Sequence, residues 1–345
     1  MYSVIDIGSN TVRLVGYQVQ EDNNIQAVIN KKYNVGLASY IIAENKNNIK
    51  DDNNPYNTYL SEEGIQKLTD TLLEFRDLLK YINLKEVYPF ATASLRNISN
   101  SKEVLDLVKQ KTDFDIELLS GEEEAIYDYF GMTRSLNNDT GIMVDIGGGS
   151  TELVFFKNKT TILEYSLPIG SLNLYNNFVQ DIIPTPAEVV QIQKEVKRNL
   201  NLINIPANIK NIKNINKELD IKLSDFNTIC GVGGTARAVS KIINRKKKNK
   251  NEGYLVSDIN KLVDRILADN TNISSNTSIS PSQNKKLVEQ VLKICPDRIH
   301  TIMPGFIALD TIAKEYNVNN IVTSQYGVRE GFLYAKLKQG GALNE

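Results

Sequence analysis

The chain has 345 residues, is 41% hydrophobic and 23% charged, and carries a formal net charge of −1. That length predicts two domains, the charge excludes a broadly basic surface, and no apolar run reaches the ~20 residues that span a bilayer. Two cysteines and a single histidine, His300, exclude a disulfide framework, a cysteine-ligated zinc site and a histidine-rich metal centre. The N-terminus has Asp6 early and no basic stretch before a small-residue cleavage site, so no signal peptide and a cytoplasmic location are expected. Residues 2–7 and 12–19 alternate and are rich in Val and Ile, which predicts a hairpin turning at "GSN". Residues 22–60 are rich in Asn and read as strand fragments joined by surface loops. A helix follows, capped by Ser61, with Glu62 and Glu63 in its first turn and apolar positions at Ile65, Leu68, Leu72, Phe75 and Leu79. Then "EVYPFAT" reads as a strand, "SKEVLDLVKQKT" as a helix and "FDIELL" as a strand.

Ser120 and Glu123 fit the capping box S-x-x-E at the start of the next helix. That gives Glu123 a structural duty and leaves Glu124 without one. The strand "IMVDI" then opens a second unit. It continues through "STELVFFK" and "TTILEYSL", a helix from about Pro186 to Leu202, the strand "TICGV" and a helix from Gly234 into Ile243. Helices around 258–268, 283–293 and 304–317, the strand "NIVTS" and a helix from Gly327 to Lys338 complete it. Segments 205–225 and 269–284 read as loops, and the basic run "NRKKKNKNEG" from Asn244 to Gly253 reads as a solvated loop. The order predicts an α/β protein with domains at 1–122 and 123–324, the C-terminal stretch of about 325–345 packing back on the first.

Three glycine loops carry the candidate chemistry. The hairpin turn Gly8, Ser9, Asn10, Thr11 and the turn Gly147, Gly148, Gly149, Ser150, Thr151 each offer backbone N–H groups and hydroxyls in a small concavity that suits phosphate oxygens. The aspartates before them, Asp6 and Asp145, sit at strand ends where they can hold hydrated Mg²⁺. "GVGGTARA" places Gly233, Gly234 and Thr235 at a helix N-terminus, whose amides suit an anion. No G-K-[ST] loop and no spaced G-x-G-x-x-G occurs. With one histidine available, hydrolysis must rest on carboxylates, amides, arginines and a cation.

The three loops in this order resemble the superfamily of acetate and sugar kinases, heat-shock ATPases and actin. "DIGSNTVRL", "ATASLRN", "SGEEEA", "VDIGGGSTEL", "YSLPIGSLNL", "GVGGTARA", "MPGFIAL" and "GVREGFLY" together resemble the exopolyphosphatase and guanosine pentaphosphate phosphohydrolase (Ppx/GppA) family, in a short form without the C-terminal HD-like region. The resemblance implies two actin-like, ribonuclease H-like domains with an interdomain phosphate-binding cleft. It implies Glu124 as the base that activates water. Asp145 and Glu152 would hold Mg²⁺ or Mn²⁺, with a monovalent cation such as K⁺ beside it. Ser9, Asn10, Thr11, Arg13, Arg96, Gly148, Gly149, Ser150, Thr151, Gly233, Gly234, Thr235 and Arg298 would contact phosphate. Gly327 and Arg329 carry over as structural. The expected partners are inorganic polyphosphate or pppGpp, with (p)ppGpp as an inhibitor and a homodimer as the assembly; neither nucleic acid nor membrane is expected. Polyphosphate hydrolysis leads, ahead of pppGpp 5′-phosphohydrolysis, a non-catalytic nucleotide sensor and a kinase. Where many relatives carry an R-L-G-x-G-like segment, this chain reads "KKYNVGLASYIIAE", which alters the charged lining of the first domain.

Overall fold

The computed structural model describes residues 1–43, 58–203, 208–209, 221–246, 253–269 and 282–343. The chain divides into two compact units, Met1–Glu124 with Phe332–Glu345, and Ala125–Gly331. The first unit comprises β1 (Tyr2–Ile7), β2 (Val12–Val19), β3 (Ile25–Tyr33), β4 (Ile41–Ala43), β5 (Thr58–Leu60), α1 (Glu62–Leu79), β6 (Glu86–Ala91), α2 (Ala93–Arg96), α3 (Ser101–Thr112), β7 (Glu117–Leu118) and the start of α4 (Gly121–Thr133). Its main sheet runs β3-β2-β1-β6-β7, antiparallel across β3, β2 and β1, and parallel across β1, β6 and β7. Alternation does the sorting here: Ile5, Ile7, Val12 and Leu14 face one side and bury against Leu68, Leu72 and Phe75 of α1 and Val104 and Val108 of α3. Ser61 caps α1 by accepting from the Gly64 N–H. The predicted strand "FDIELL" shrinks to Glu117–Leu118, because only those two residues reach register with Phe90 and Ala91.

The second unit continues with β8 (Gly141–Ile146), β9 (Thr151–Lys157), β10 (Thr160–Leu167), α5 (Ser171–Phe178), α6 (Pro186–Leu202), β11 (Asn208–Ile209), β12 (Ile221–Lys222), β13 (Thr228–Val232), α7 (Gly233–Ile243), β14 (Tyr254–Leu255), α8 (Val256–Asp269), α9 (Ser282–Ile294), α10 (Ile302–Glu315), β15 (Asn320–Thr323) and α11 (Val328–Gln339), which ends in the first unit. Its sheet, β10-β9-β8-β13-β15-β14, repeats the strand order and directions of the first, with β14 added antiparallel at the edge. The repeated hairpin seen in the sequence is thus a repeated topology, that of two actin-like domains. Helix α10 is buried from Ile302 to Ala313, which explains a sequence apolar around its whole circumference. A capping box between Thr185 and Glu188 opens α6, with Pro186 at its first position. Most of the 205–225 loop, the core of the 269–284 loop and Lys247 to Glu252 of the basic run lie outside the described residues. No helix among the described residues is long and apolar enough to cross a membrane.

Within the second unit the start of α11 crosses α4 at backbone contact. A methyl group on Gly331 would stand 1.8 Å from the Tyr127 carbonyl oxygen, and one on Gly131 would stand 2.2 Å from the Gly327 oxygen. Neither obstacle is a flexible side chain, so the helices must separate to admit it. Gly331→Ala is expected to cost about 3 kcal/mol and to lower the melting temperature by roughly 6–12 °C, while Gly340→Ala, whose methyl group meets its nearest neighbour at 3.4 Å, leaves it unchanged. Thermal unfolding followed by circular dichroism checks both.

Candidate active site

In the first unit three segments meet at one end of the sheet, beyond the carboxyl ends of the parallel strands, where α/β sheets bind ligands. The hairpin loop closes with the Gly8 N–H donating to the Thr11 carbonyl at 3.0 Å, and Gly36 and Ala38 donate to the carbonyls of Asn10 and Ser9 at 2.9 Å each. These bonds turn the loop carbonyls into the protein and fix Ser9, Asn10 and Thr11 as a rigid turn. The Thr92 N–H and the Ser94 hydroxyl both donate to the Ile7 carbonyl at 3.3 Å, tying the "TASLRN" turn to β1. Arg96 at the end of that turn donates through Nη1 to the Leu119 carbonyl at 2.8 Å and to Glu124 Oε2 at 3.0 Å.

Ser120 and Glu123 form the capping box: the Ser120 N–H donates to Glu123 Oε2 at 2.8 Å and the Glu123 N–H to Ser120 Oγ at 3.1 Å. Glu124 is therefore held by an ion pair and not by its helix end. Its side chain is 11% exposed and that of Arg96 16% exposed. Two charges so far out of water must be matched, since removing one partner of a buried pair costs about 3–5 kcal/mol. The geometry gives an oriented carboxylate at a helix start. Arg13, opposite Asp6 in register, donates through Nε to Asn30 Oδ1 at 2.8 Å.

In the second unit the glycine loop is clamped from behind by α5, an eight-residue helix that the sequence reading left unassigned. Ser171 N–H and Oγ donate to the Gly147 carbonyl at 2.8 and 2.9 Å, the Leu172 and Asn173 N–H groups donate to the Gly148 carbonyl at 3.0 and 3.2 Å, and Asn173 Nδ2 donates to the Gly149 carbonyl at 2.7 Å. Gly170 lets the segments touch, since a methyl group there would lie 2.3 Å from the Gly148 oxygen. All three loop carbonyls thus point into α5. The N–H groups of Gly148, Gly149 and Ser150 donate to no acceptor among the described residues, an arrangement suited to phosphate oxygens. The Thr151 and Thr235 hydroxyls are spent on main chain, donating to the Ile169 and Ile146 carbonyls at 2.9 and 2.7 Å.

Asp145 and Glu152 face each other across β8 and β9. Glu152 is buried and accepts from Ser166 Oγ at 2.8 Å. The Asp145 carboxylate lies against the α-carbon of Gly233, where a methyl group would stand 2.0 Å from Oδ1, and Gly233 has φ +74°. A methyl group on Gly234 would stand 1.9 Å from Arg298 Nη2. The two glycines that begin α7 therefore make room for one carboxylate and one guanidinium. Among the described residues no three His, Cys, Asp or Glu side chains gather into a metal cage. Two neighbouring carboxylates nonetheless fit Mg²⁺, which binds through one or two carboxylates and fills its shell with water and phosphate oxygens.

Arg237, the fifth residue of α7, is a charged residue of this site that the sequence reading passed over. Its guanidinium donates to the Ser324 and Gln325 carbonyls at 3.3 and 3.4 Å. Loss of water around it and the Arg329 charge push it down to about 10, with Arg298 adding to the fall, while Glu330 and Asp145 pull it up. Its place inside "GVGGTARA" was visible; the surrounding charges come from distant positions and were not. The predicted site residues fall into these two groups. Ser9, Asn10, Thr11, Arg13, Arg96 and Glu124 belong to the first unit, and Asp145, Glu152, the glycine loops and Arg298 to the second.

The sequence profile of the Ppx/GppA phosphatase family matches residues 17–340. Over 246 residues the chain is 29% identical to guanosine-5′-triphosphate,3′-diphosphate pyrophosphatase of Vibrio parahaemolyticus, covering 70% of this chain and 44% of that one. Over 192 residues it is 26% identical to exopolyphosphatase 1 of Mycobacterium tuberculosis, covering 55% of this chain and 52% of that one. The chain thus spans about half the length of these two curated relatives. The crystal structure of an exopolyphosphatase from Cytophaga hutchinsonii matches with a TM-score of 0.72 over 98% of both chains at 21% identity, a likeness in fold.

Proposed function

The chain belongs to the Ppx/GppA phosphatase family, and on that footing we propose that it is an exopolyphosphatase, a hydrolase that releases terminal orthophosphate from inorganic polyphosphate. The observation that carries the reading is Glu124: the family's base position is held by Arg96 and relieved of capping by Glu123. In the proposed reaction Glu124 orients a water and takes its proton as the water oxygen bonds to the terminal phosphorus. The bridging P–O bond breaks, and the departing phosphate of the shortened chain keeps the bridging oxygen. Such a displacement needs positioning and charge neutralisation more than covalent help. Within the second unit the amides of Gly148, Gly149 and Ser150 suit phosphate oxygens, and Arg298 supplies positive charge. Asp145 and Glu152 would hold Mg²⁺, which when bound offsets charge on the phosphate oxygens.

A second reading, hydrolysis of the 5′-terminal phosphate of pppGpp, is favoured by the name of the Vibrio relative. Orthophosphate release with Mg²⁺, from long-chain polyphosphate and from pppGpp in parallel, tests the choice. Faster release from polyphosphate supports the proposal. Release from pppGpp alone moves the protein to the second reading, and silence on both removes the enzyme.

A further inference from the structure

The glycine loop of the second unit contains three consecutive peptides, and α5 holds the carbonyl of each. A trans peptide is planar, with its C=O and N–H on opposite sides, so a donor that fixes a carbonyl also aims the N–H of the following residue the other way. The Ser171 N–H and hydroxyl on the Gly147 carbonyl aim the Gly148 N–H. The Leu172 and Asn173 N–H groups on the Gly148 carbonyl aim the Gly149 N–H. The third peptide has one donor among the described residues, Asn173 Nδ2 at 2.7 Å from the Gly149 carbonyl, and that donor aims the Ser150 N–H. Main-chain donors thus set the first two peptides, and the third rests on a single side chain. Gly149 has no Cβ to resist rotation of that peptide, so the loop by itself does not choose its direction.

The repeated loop of the first unit meets the same need by another route. Gly8 closes on Thr11 as Gly147 closes on Ser150, the first N–H donating to the last carbonyl at 3.0 and 2.9 Å. Ser9 and Asn10 therefore correspond to Gly148 and Gly149, and their carbonyls accept from the Ala38 and Gly36 N–H groups at 2.9 Å each. In each unit the carbonyl two residues past the first glycine is held by the protein. The donor is main chain in the first unit and the Asn173 side chain in the second. Resting on the phosphate-binding role given to this loop above, we infer that Asn173 is a positioning residue for it: the side chain acts through the Gly149–Ser150 peptide and keeps the Ser150 N–H turned outward for a phosphate oxygen. An acceptor in its place would face the Gly149 carbonyl oxygen and repel it. The peptide would then turn over and present a carbonyl oxygen to the anion where the N–H had been.

The test replaces Asn173 with Asp in the full chain, a change of similar size at the third residue of α5, where an acidic side chain suits the helix end. The dissociation constant for inorganic pyrophosphate at about pH 8 is expected to rise about tenfold, the size of one hydrogen bond to a charged group, with the melting temperature near that of the parent. A carboxylate held against a carbonyl oxygen binds its proton more tightly than usual. As pH falls to about 5 the new carboxyl takes up that proton and can again donate to the Gly149 carbonyl. The ratio of variant to parent constants is therefore expected to shrink toward one, whereas loosened packing alone would leave it the same at both pH values. Asn173→Leu, which removes the donor and adds no charge, is expected to weaken binding by a smaller factor that pH does not change. A crystal structure of the Asn173→Asp chain without ligand reads the peptide directly. A Gly149 carbonyl turned away from α5 supports the assignment even if the parent binds no pyrophosphate, in which case only the phosphate reading fails. A carbonyl still facing α5, an unchanged pyrophosphate constant, or a ratio that does not move with pH overturns the assignment and leaves the hydrolase in place.

Discussion

Replacing Glu124 with Gln is expected to lower kcat for polyphosphate by ~10²- to 10⁴-fold, the usual contribution of a positioned acid or base, with KM changed by less than about threefold. The substitution suits the geometry. Glutamine keeps a carbonyl oxygen where Glu124 Oε2 meets Arg96 Nη1 at 3.0 Å, so the buried guanidinium keeps an acceptor. It loses the basic oxygen that the water needs. Glu124→Ala would mix two effects, because stranding Arg96 costs stability as well as activity. Glu123→Gln is the matched control: its oxygen caps the Ser120 N–H, a bond that an amide can still accept, so activity and melting temperature should stay near those of the parent. Steady-state phosphate release, with melting temperature measured alongside, separates loss of chemistry from loss of fold. An active Glu124→Gln enzyme would falsify the assignment of the base.

Gly233→Ala has the second largest expected effect, for two reasons that act together. Alanine at φ +74° pays about 1–2 kcal/mol for a left-handed backbone. Its methyl group also needs the space 2.0 Å from Asp145 Oδ1. Asp145 is short and sits on a sheet strand, so its carboxylate can move only by leaving its place beside Glu152. A displacement of about 1 Å in a positioning group costs ~10²-fold in rate, and kcat should fall by that order while the protein stays folded. Gly234→Ala provides contrast. Its methyl group meets Arg298 Nη2 at 1.9 Å, the far end of a flexible side chain that can swing aside. There the expected change is a rise in KM, with kcat preserved within a few-fold. If Gly233→Ala keeps full kcat, the Asp145 carboxylate has no part in the reaction.

Much of this arrangement was legible in the residues. The first hairpin announced itself by alternation on either side of its glycine-hydroxyl turn, the second by the apolar strands that flank "GGGST", and the structure repeats the whole strand order behind them. The capping box separates Glu123 from Glu124 in the sequence itself, because S-x-x-E spends only its fourth residue. Helix α5 was not legible. "SLNLYNNF" is eight residues long, has no apolar stripe of helical length, and starts after Gly170, which makes no side-chain cap. Its function was further hidden because it acts on a loop some twenty positions earlier in the chain. Arg237 stood inside a recognised motif, but its meaning depends on Asp145, Arg298, Arg329 and Glu330, which no local pattern joins.

The measurement that bears most directly on water attack at the chain end is hydrolysis of long-chain polyphosphate in ¹⁸O-labelled water, with the products resolved by mass spectrometry from the first turnovers. The account predicts one solvent oxygen in each released orthophosphate and none at the new terminus of the shortened chain, since the water positioned by Glu124 attacks the terminal phosphorus. Label at the terminus of the shortened chain, or orthophosphate released without solvent oxygen, would contradict it.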